Sequence, residues 1–363
     1  MEEEESMNKL KLGLIGCGKM MAQHVNGVKK SGNVEIVAVC DIIEENARVV
    51  AEELGNNAKI FTDYRDLVSE VDAVLIALPH DLHFQCGMYF AMHDKHILME
   101  KPLCNSEREC EILIETCEKR NLKLMSAYPV RFWPGVVKLK ELVDSGEFGE
   151  IIQMSIWTEQ LTGADMTYLD IERNWLVTSR LGGGQLFSHG CHYIDILLWF
   201  LGEPVTGAHM GTRNGTPWMI EEGTSALVMK FENGAVGYHG ATWGARGTRL
   251  GYDFQIQTEK ALLEYDHSGG EVRIYRKSAV HTPGQEDKKE NYEVVWKRTE
   301  EKSKNTQYEI NHFTDCVLNN KTPLTNGRAA LQGLRVIWEL YLAEKNNRLA
   351  NLKGLGLGAV ENK

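Results

Sequence analysis

The chain lacks the features that mark several large classes of protein. Its 363 residues hold 40 lysines and arginines against 51 aspartates and glutamates, so the formal net charge is -11 and there is no basic excess to attract nucleic acid or an anionic membrane. No apolar run is long enough to span a bilayer. Residues 1–6 read MEEEES, unlike the basic start of a secretory signal. These absences argue against nucleic acid and membrane as partners.

The cysteines lack the spacing of a disulfide framework or of a metal site. Eight are scattered along the chain, with no Cys-x-x-Cys pair and no His-x-x-x-His pair. His189, Cys191 and His192 are suitable ligand types, but neighbouring residues on a helix point in different directions. We therefore expect reduced thiols, a cytoplasmic protein and no bound metal.

A glycine-rich turn is the first positive feature. Lys11–Ile15 is predicted to be a strand, Gly16-Cys17-Gly18 a tight turn and Lys19–Lys30 a helix. In a dinucleotide-binding unit, such a turn and the first helical residues, here Lys19 and Met20, present backbone N–H groups to a pyrophosphate. Met21 replaces the usual third small residue, so we expect a slight shift of the helix to accommodate it.

An aspartate follows the second predicted strand, Val34–Cys40. Asp41 lies at the distance past the glycines expected of a carboxylate that binds the ribose hydroxyls. It would repel a 2′-phosphate, and Ile42 and Ile43 cannot bind one, so NAD is favoured over NADP. The alternative is a solvated aspartate that caps the helix starting near Glu44.

Strands and helices then alternate, which predicts a parallel, doubly wound sheet. The predicted strands are Lys59–Thr62, Ala73–Ala77, His96–Met99 and Lys123–Ala127, and the predicted helices are Tyr64–Ser69, Phe84–Met92 and Glu107–Lys119. Leu78, Pro79 and His83 follow one of these strands and are expected to contact the cofactor. His83 is expected beside the nicotinamide, unless it only begins the next helix.

Glu100-Lys101-Pro102 leaves the buried strand His96–Met99. Ligands of an open parallel sheet bind beyond the carboxyl ends of its strands, so a lysine that follows such a strand can contact a bound ligand. Pro102 disfavours a helical backbone at Lys101 and holds it extended. The other interpretation is that the tripeptide only forms a turn that ends the strand.

Beyond Tyr128 consecutive strands without helices between them predict a mostly antiparallel sheet. The predicted strands are Phe148–Thr158, Thr224–Phe231, Gly234–Thr242, Tyr252–Gln257 and Ala261–Tyr265, and the predicted helices are Gly184–Leu201, Gln307–Asn319 and Arg328–Lys345. The length suits two domains. We place the dinucleotide-binding domain at residues 7–128 and the substrate and oligomerisation domain at 129–352, with disordered tails at 1–6 and 353–363.

The predicted helix Gly184–Leu201 opens on glycines that permit close approach of a ligand. Ser188, His192 and Asp195 recur at helical spacing and share one face. A histidine on that face, next to a lysine from the other domain, is suited to proton transfer with a hydroxyl being oxidised. A packing role for the histidine is the alternative.

Together these motifs resemble the Gfo/Idh/MocA family of NAD(P)-dependent oxidoreductases, from about Lys11 to about Leu352. The resemblance is carried by Gly16-Cys17-Gly18 with His24, Lys95–Pro102, Tyr128 with Arg131, and Gly182–Asp195. It implies an N-terminal Rossmann domain, a doubly wound parallel sheet, and a C-terminal α+β domain with a large mostly antiparallel sheet. It also implies a cis bond between Lys101 and Pro102.

The resemblance assigns Lys101 and His192 to the substrate hydroxyl as the catalytic pair. The family has an aspartate four residues before the histidine, where this chain has Ser188; His189 or Asp195 are the candidates to compensate. Glu100 and Lys101 are also expected to lie against the cofactor. The residues expected to contact substrate are Tyr128, Arg131, Arg173, Trp175, Ser188, His189 and Asp195.

The implied reaction is hydride transfer between a secondary hydroxyl of a sugar, sugar derivative or cyclitol and the nicotinamide of NAD. The same parts suit a redox-neutral glycosidase or lyase that acts through a transient keto-sugar. A third reading is a non-catalytic regulator that senses NAD, and retention of Lys101 and His192 argues against it. In relatives, the free face of the second domain's sheet pairs in oligomers, so we expect a homo-oligomer, a dimer or tetramer.

Overall fold

The computed structural model describes residues 9–161, 179–276, 292–300 and 304–361, which form two compact units. One unit comprises the chain up to Pro129 together with Ser303–Leu331, and the other comprises Val130–Lys302 with Gln332–Lys363. All residues from 129 to 352 are predicted to belong to the second domain. The helix that starts at Thr306 nevertheless belongs with the first unit, because its Thr306 hydroxyl donates to the carbonyl of Gln23.

A six-stranded parallel sheet organises the first unit, in the order β3-β2-β1-β4-β5-β6. Its strands are β1 (Leu10–Ile15), β2 (Val34–Cys40), β3 (Lys59–Phe61), β4 (Ala73–Ile76), β5 (His96–Met99) and β6 (Leu124–Ser126). The chain order reverses between β1 and β4, which pair directly. This reversal is the switch point at which ligands of such sheets bind. The predicted doubly wound sheet is confirmed.

Helices connect these strands. They are α1 (Lys19–Val28), α2 (Glu44–Leu54), α3 (His83–Met92) and α4 (Glu107–Lys119), and α7 (Thr306–Leu318) joins them from later in the chain. Residues 64–67 form a 3-10 turn where a helix is predicted. Leu12, Leu14, Val74 and Leu75 are fully buried, as expected for parallel strands with apolar runs.

The second unit contains a nine-stranded sheet in the order β14-β13-β12-β11-β7-β10-β9-β8-β15. Its strands are β7 (Ile151–Glu159), β8 (Pro204–Thr212), β9 (Thr224–Phe231), β10 (Val236–Thr242), β11 (Tyr252–Thr258), β12 (Leu262–Asp266), β13 (Glu271–Tyr275), β14 (Glu293–Lys297) and β15 (Ala350–Asn351). Among the described strands only β7 and β10 pair in parallel. The prediction of a large, mostly antiparallel sheet is confirmed.

The helices of this unit lie before, between and after the strands. They are α5 (Pro134–Asp144), α6 (Cys191–Leu201), α8 (Gly327–Lys345), in which the chain passes from the first unit to the second, and the short α9 (Gly358–Glu361). A π-helical turn, Leu186–Gly190, precedes α6 and replaces the single α-helix predicted there. Of the described helices, none combines the length and apolarity needed to cross a membrane.

Several elements of the second unit are absent from the sequence prediction: α5, β8, β13, β14 and β15. In β8 the residues Pro204, Gly207 and Gly211 lower strand propensity, and cross-strand pairing with β9 overrides it. The glycine-rich segment after residue 352 is predicted to be a loose tail. Its first residues are instead held, because the Gly354 and Gly356 N–H groups donate to the Glu203 carboxylate at 2.5 and 2.9 Å.

Candidate active site

The turn after β1 has the geometry of a phosphate cradle. Gly16 has a φ of +83°, and a Cβ there would lie 2.6 Å from the Ala77 carbonyl oxygen, so only glycine fits. A Cβ on Gly18 would meet nothing within 4 Å, which leaves open space at the start of α1. Gly18 provides no side-chain cap and the first turn of α1 has no acidic residue, so the N–H groups at Lys19 and Met20 suit an anion.

Cys17 in this turn and Met21 shortly after it are both buried. Cys17 is buried, and burial raises the pKa of its thiol to about 12, so the thiol stays protonated. Met21 is fully buried, so the larger residue at the third position is absorbed by the core of the unit. All eight cysteines are buried free thiols.

Asp41 lies at the end of β2, against the turn. Its Oδ2 accepts the Cys17 N–H at 2.8 Å, and its Oδ1 accepts the Ile43 N–H at 2.9 Å. The carboxylate therefore connects the glycine turn to the residues that lead into α2. Asp41 thus lies both at the glycine turn and just before α2, and its binding of the ribose hydroxyls stays a prediction.

His83 joins two loops that follow neighbouring strands. Its Nδ1 lies 2.8 Å from the Pro102 carbonyl oxygen and its Nε2 lies 3.0 Å from the Leu78 carbonyl oxygen. The side chain is fully buried, and burial lowers its pKa, so the neutral ring donates to one of the two carbonyls. The imidazole is thus committed to backbone groups, and the geometry favours a role in holding the loops over the predicted contact with nicotinamide. Pro79 accepts the Leu82 N–H in the same loop.

The loop after β5 is held by a buried acid. Glu100 is 6% exposed; its Oε1 lies 2.7 Å from His24 Nε2 and its Oε2 accepts the Lys101 N–H at 3.0 Å. The Lys101–Pro102 bond is cis, as the family resemblance predicts. Glu100 therefore fixes the backbone of Lys101, while His24 ties that backbone to α1.

A second buried acid extends this contact, and the sequence gives no sign of it. Glu309 of α7 is 0% exposed, its Oε1 lies 3.8 Å from His24 Nδ1, and neither of its oxygens has a hydrogen-bond partner. Burial, reinforced by the negative charge of Glu100, raises the pKa of Glu309 well above its usual range. A second buried carboxyl group thus lies behind the His24–Glu100 pair.

In the second unit the predicted residues lie on the helix that begins with the π turn. Ser188 is 3% and His192 is 7% exposed. The Ser188 N–H donates to the Gly184 carbonyl at 2.9 Å. The His189 ring lies 5.7 Å from the His192 ring, edge to face, with its two nitrogens 3.3 Å from the amide nitrogens of Gln185 and Gln160.

Arg131 and Asp195, both predicted to bind substrate, bind each other. The guanidinium donates through Nε and an Nη atom to both carboxylate oxygens, at 2.5 and 2.9 Å, and packs over Trp199 at 5.1 Å. Arg131 is 4% and Asp195 1% exposed. Burial raises the pKa of Asp195 and the Arg131 charge opposes that shift. Both Asp195 oxygens are therefore occupied by Arg131, which leaves Asp195 poorly placed to replace the family aspartate beside His192.

The remaining predicted residues fall elsewhere. Tyr128 is buried in the first unit just after β6, where its N–H donates to the Ser126 carbonyl. Arg173 and Trp175 lie outside the described residues. Within the described ranges no group of three or more histidine, cysteine, aspartate or glutamate side chains is arranged to hold a metal ion.

Sequence reasoning misses His239, which lies beside this helix. Its Nε2 lies 3.0 Å from the Thr158 hydroxyl and its ring stacks on Tyr193 with centroids 4.9 Å apart. Burial lowers the pKa of His239 to about 3, so the ring is neutral. A histidine in an alternating strand carries no sequence signal that separates it from other core residues.

Curated relatives include sugar and cyclitol enzymes. Myo-inositol 2-dehydrogenase of Thermotoga maritima is 26% identical over 68% of this chain and 72% of its own length. The 2,7-anhydro-N-acetylneuraminate hydratase of Mediterraneibacter gnavus is 26% identical over 77% of this chain and 75% of its own. For three curated relatives, the alignment with this chain spans 60%, 72% and 43% of the relative's own length.

Solved structures and family profiles extend the comparison to most of the chain. An oxidoreductase from Agrobacterium radiobacter in complex with NAD+, L-tartaric acid and magnesium has a TM-score of 0.80 over 97% of this chain and 99% of that one; at 19% identity this likeness shows the fold. The profile of the Gfo/Idh/MocA oxidoreductase family, NAD-binding Rossmann fold, matches residues 10–128. The Gfo/Idh/MocA C-terminal domain profile matches residues 136–264. Because the two profiles together cover more than half of the sequence, the chain belongs to the Gfo/Idh/MocA family of oxidoreductases.

Proposed function

We propose that the protein transfers hydride between a secondary hydroxyl of a sugar, sugar derivative or cyclitol and the nicotinamide of NAD. The observation that carries the proposal is Lys101, which follows β5 at the carboxyl edge of an NAD-binding sheet with its backbone fixed by Glu100. That edge is where ligands of doubly wound sheets bind. The cyclitol substrate named for the Thermotoga relative supports the substrate class.

The residues of the first unit fit a dinucleotide. The open space at Gly18 and the uncapped start of α1 suit the pyrophosphate, which Lys19 and Met20 would contact through their backbones. Asp41 suits the ribose hydroxyls, and Leu78, Pro79 and Glu100 belong to the loops that follow β4 and β5. NAD, when bound, accepts the hydride; the protein's part is to orient the reacting carbon and move the proton.

NAD is the proposed cofactor rather than NADP. A 2′-phosphate would meet the Asp41 carboxylate, and like charges at close range repel. Ile42, the next residue, is 89% exposed and offers no hydrogen-bond donor from its side chain. The NAD+ named in the Agrobacterium structure agrees with this choice.

Lys101 and His192 are the proposed catalytic residues. The Lys101 ammonium would donate to the substrate oxygen and stabilise alkoxide charge as it develops, and the His192 imidazole would accept the proton. Ser188, in place of the family aspartate, orients an imidazole more weakly than a carboxylate. Arg131 and Asp195 support this helix through their ion pair, and His189, Tyr128, Arg173 and Trp175 remain the proposed substrate contacts.

A redox-neutral reaction is the second candidate. Ser188 weakens the simple proton relay. The Mediterraneibacter relative is named a hydratase, and the addition of water involves no net oxidation or reduction. In such a reaction NAD, which the Gly16 turn and Asp41 would hold, would accept a hydride from the carbon that bears the substrate hydroxyl and later return it. The resulting ketone would acidify the neighbouring C–H bond, whose proton Lys101 or His192 would take as the substituent leaves and a C=C bond forms. Water would add to that bond before the ketone is reduced.

One assay separates the two candidates. The protein is incubated with NAD and a panel of sugars, cyclitols and glycosides, and both NADH absorbance and released aglycone are followed. Accumulating NADH supports the oxidoreductase, whereas product without NADH supports the redox-neutral reaction. His192→Ala should lower either signal about 100-fold, to a small residual rate. Full turnover by that variant would overturn the assignment of His192, and silence of the wild-type protein on the whole panel would count against both candidates.

We further propose that two or more copies assemble through the outer face of the nine-stranded sheet. Met210 on β8 is 75% exposed and Val228 on β9 is 45% exposed, and Val228 is paired with Tyr238 of β10. Tyr238 in turn packs against Trp157 with ring centroids 4.9 Å apart. These side chains form an exposed apolar patch on a face that also carries Gln153 and Lys230, and exposed apolar patches mark interaction sites. The change of Met210 and Val228 to lysine should lower the mass measured by light scattering.

A further inference from the structure

The first backbone N–H groups of the helix that carries His192 are capped by two residues distant in sequence. A helix start leaves four N–H groups without partners inside the helix. The helix-start segment, Gly184–Phe187, supplies these donors, and Glu222 and Tyr341 accept from all four. The bonds run from Gly184 N to Tyr341 Oη (3.3 Å), Gln185 N to Glu222 O (2.7 Å), Leu186 N to Glu222 Oε1 (3.0 Å) and Phe187 N to Tyr341 Oη (3.2 Å).

Glu222 and Tyr341 also bind each other. The Tyr341 hydroxyl donates to Glu222 Oε1 at 2.6 Å, so one oxygen gives a hydrogen bond to the acid and receives two from the helix. Glu222 is 9% exposed. A Cβ on Gly184 would lie 1.9 Å from Glu222 Oε2, so the acid occupies space that only glycine leaves. The two side chains form one connected cap.

The cap comes from other elements of the second unit. Glu222 lies in the loop between β8 and β9, and Tyr341 lies on α8. The residues just before the helix are Gly182 and Gly183, which have no side chain with which to cap it. The direction in which the helix starts is therefore fixed by two distant parts of the chain.

The capped segment leads directly into the proposed active-site residues. The first bond within the helix joins the Ser188 N–H to the Gly184 carbonyl at 2.9 Å, and His192 follows one turn later. Rate depends steeply on the placement of a catalytic group, and a displacement of about 1 Å can cost about 100-fold. A change in the cap is thus transmitted along the helix to Ser188 and His192.

We propose that Glu222 and Tyr341 are positioning residues that set the placement of His192 through the helix-start segment, an inference that rests on the proposed function of His192. Neither side chain needs to touch the substrate. Their removal should lower kcat while cofactor binding, a property of the other unit, stays unchanged.

The first test compares Glu222→Ala and Tyr341→Phe with the matched controls Glu221→Ala and Tyr292→Phe. Glu221 is the exposed neighbour of Glu222, and Tyr292 is 41% exposed. With saturating NAD and the best substrate of the panel, kcat should fall about 10- to 100-fold in the two cap variants. NADH binding, followed by its fluorescence, should match the wild type in all four.

Conservative replacement sharpens the test. In Glu222→Gln the amide oxygen can still accept from Leu186 and Tyr341, so kcat should recover to within about twofold of the wild type. If Glu222→Ala does not fold, Tyr341→Phe carries the test, because it removes one oxygen and leaves the ring. A wild-type kcat in Tyr341→Phe would overturn the proposal.

A double-variant cycle separates this proposal from the one on which it rests. If the cap acts through His192, adding Tyr341→Phe to His192→Ala should lower the residual rate by less than about twofold. A full additional loss would mean that the cap acts elsewhere and would overturn the positioning role. Normal turnover of His192→Ala alone would instead show that the proposed function of His192 is wrong.

Discussion

The two proposed catalytic residues are supported in different ways. Lys101 is held by its immediate neighbour, since Glu100 accepts the Lys101 N–H and pairs with the buried His24. His192 lies on a helix whose start is capped by Glu222 and Tyr341, which are at least 36 and 154 residues from the N–H groups that they bind. A short motif can therefore encode both a catalytic residue and its support in the first unit, whereas the support in the second unit exists only in the folded structure.

The cost of each support also differs. The first unit buries a cluster of ionisable groups, with Glu309 behind His24 and Glu100, and buried charge is expensive unless it is paired or neutralised. The second unit caps backbone N–H groups with one acid and one phenol, and each donor finds an acceptor. We therefore expect the placement of Lys101 to depend on individual side chains such as Glu100. We expect the placement of His192 to depend on the hydrogen-bond network of Glu222 and Tyr341.

The largest expected effect tests the first region. Lys101→Ala removes the ammonium while Glu100 can still accept the backbone N–H, so kcat should fall on the order of 100- to 10,000-fold with NADH binding retained. Steady-state kinetics with the best substrate measures it. Lys119→Ala, at a lysine that is 75% exposed, is the control and should behave as wild type. An active Lys101→Ala would remove Lys101 from the mechanism.

The next effect tests the ion pair of the second region. Asp195→Ala leaves Arg131 buried without its partner, and the loss of one member of a buried pair lowers the free energy of unfolding by about 3 to 5 kcal/mol. Denaturant unfolding measures it. The double change Arg131→Met with Asp195→Leu should recover most of that loss, because neither charge then remains buried. If the single variant is as stable as the wild type, the pair does not support the helix.

These tests also show where sequence reasoning is sufficient. The strand boundaries of β5 and the bounds of α4 and β9 are predicted to the residue, because apolar runs bounded by turn residues determine them locally. The cis bond at Pro102 follows from the family resemblance. Local patterns are therefore enough for such elements in both units.

Other features depend on contacts that no local pattern contains. Arg131 and Asp195 are residue types that often bind polar substrates. They are 64 residues apart in sequence, and only the folded structure shows that they bind each other. The same holds for Glu309, whose helix α7 looks like part of the second domain in sequence and belongs with the first unit. Roles of this kind follow from three-dimensional pairing.

A smaller effect concerns the acid in the cap. Burial raises the pKa of Glu222 from 4.5 to about 7, so between these values the folded chain holds a proton that the unfolded chain releases. The associated stability is present below pH 4.5 and is lost as pH rises through 7; by 1.36 kcal/mol per pKa unit it amounts to about 3 kcal/mol. Glu222→Gln should thus be more stable than wild type at pH 8 by up to about 3 kcal/mol.

Unfolding of both proteins at pH 5 and pH 8 checks this. Asp253, whose pKa burial also raises to about 7, changes stability in the same direction in both proteins and cancels in the comparison. Equal differences between the two proteins at both pH values would mean that Glu222 does not titrate in this range.

The smallest expected effect returns to the first unit and to the choice of cofactor. Asp41→Asn keeps one side-chain oxygen, which can accept from only one of the Cys17 and Ile43 N–H groups, and it removes the charge that repels a 2′-phosphate. The ratio of the two cofactor affinities therefore reports the charge even where the turn is weakened. Hydrogen bonds to a charged group contribute about 1.5 kcal/mol or more, so the affinity for NAD should fall about tenfold while that for NADP rises. Fluorescence titration with NADH and NADPH measures both. If the ratio of the two affinities matched the wild type, Asp41 would serve only the turn and the start of α2. The choice between NAD and NADP would then depend on other residues of the first unit.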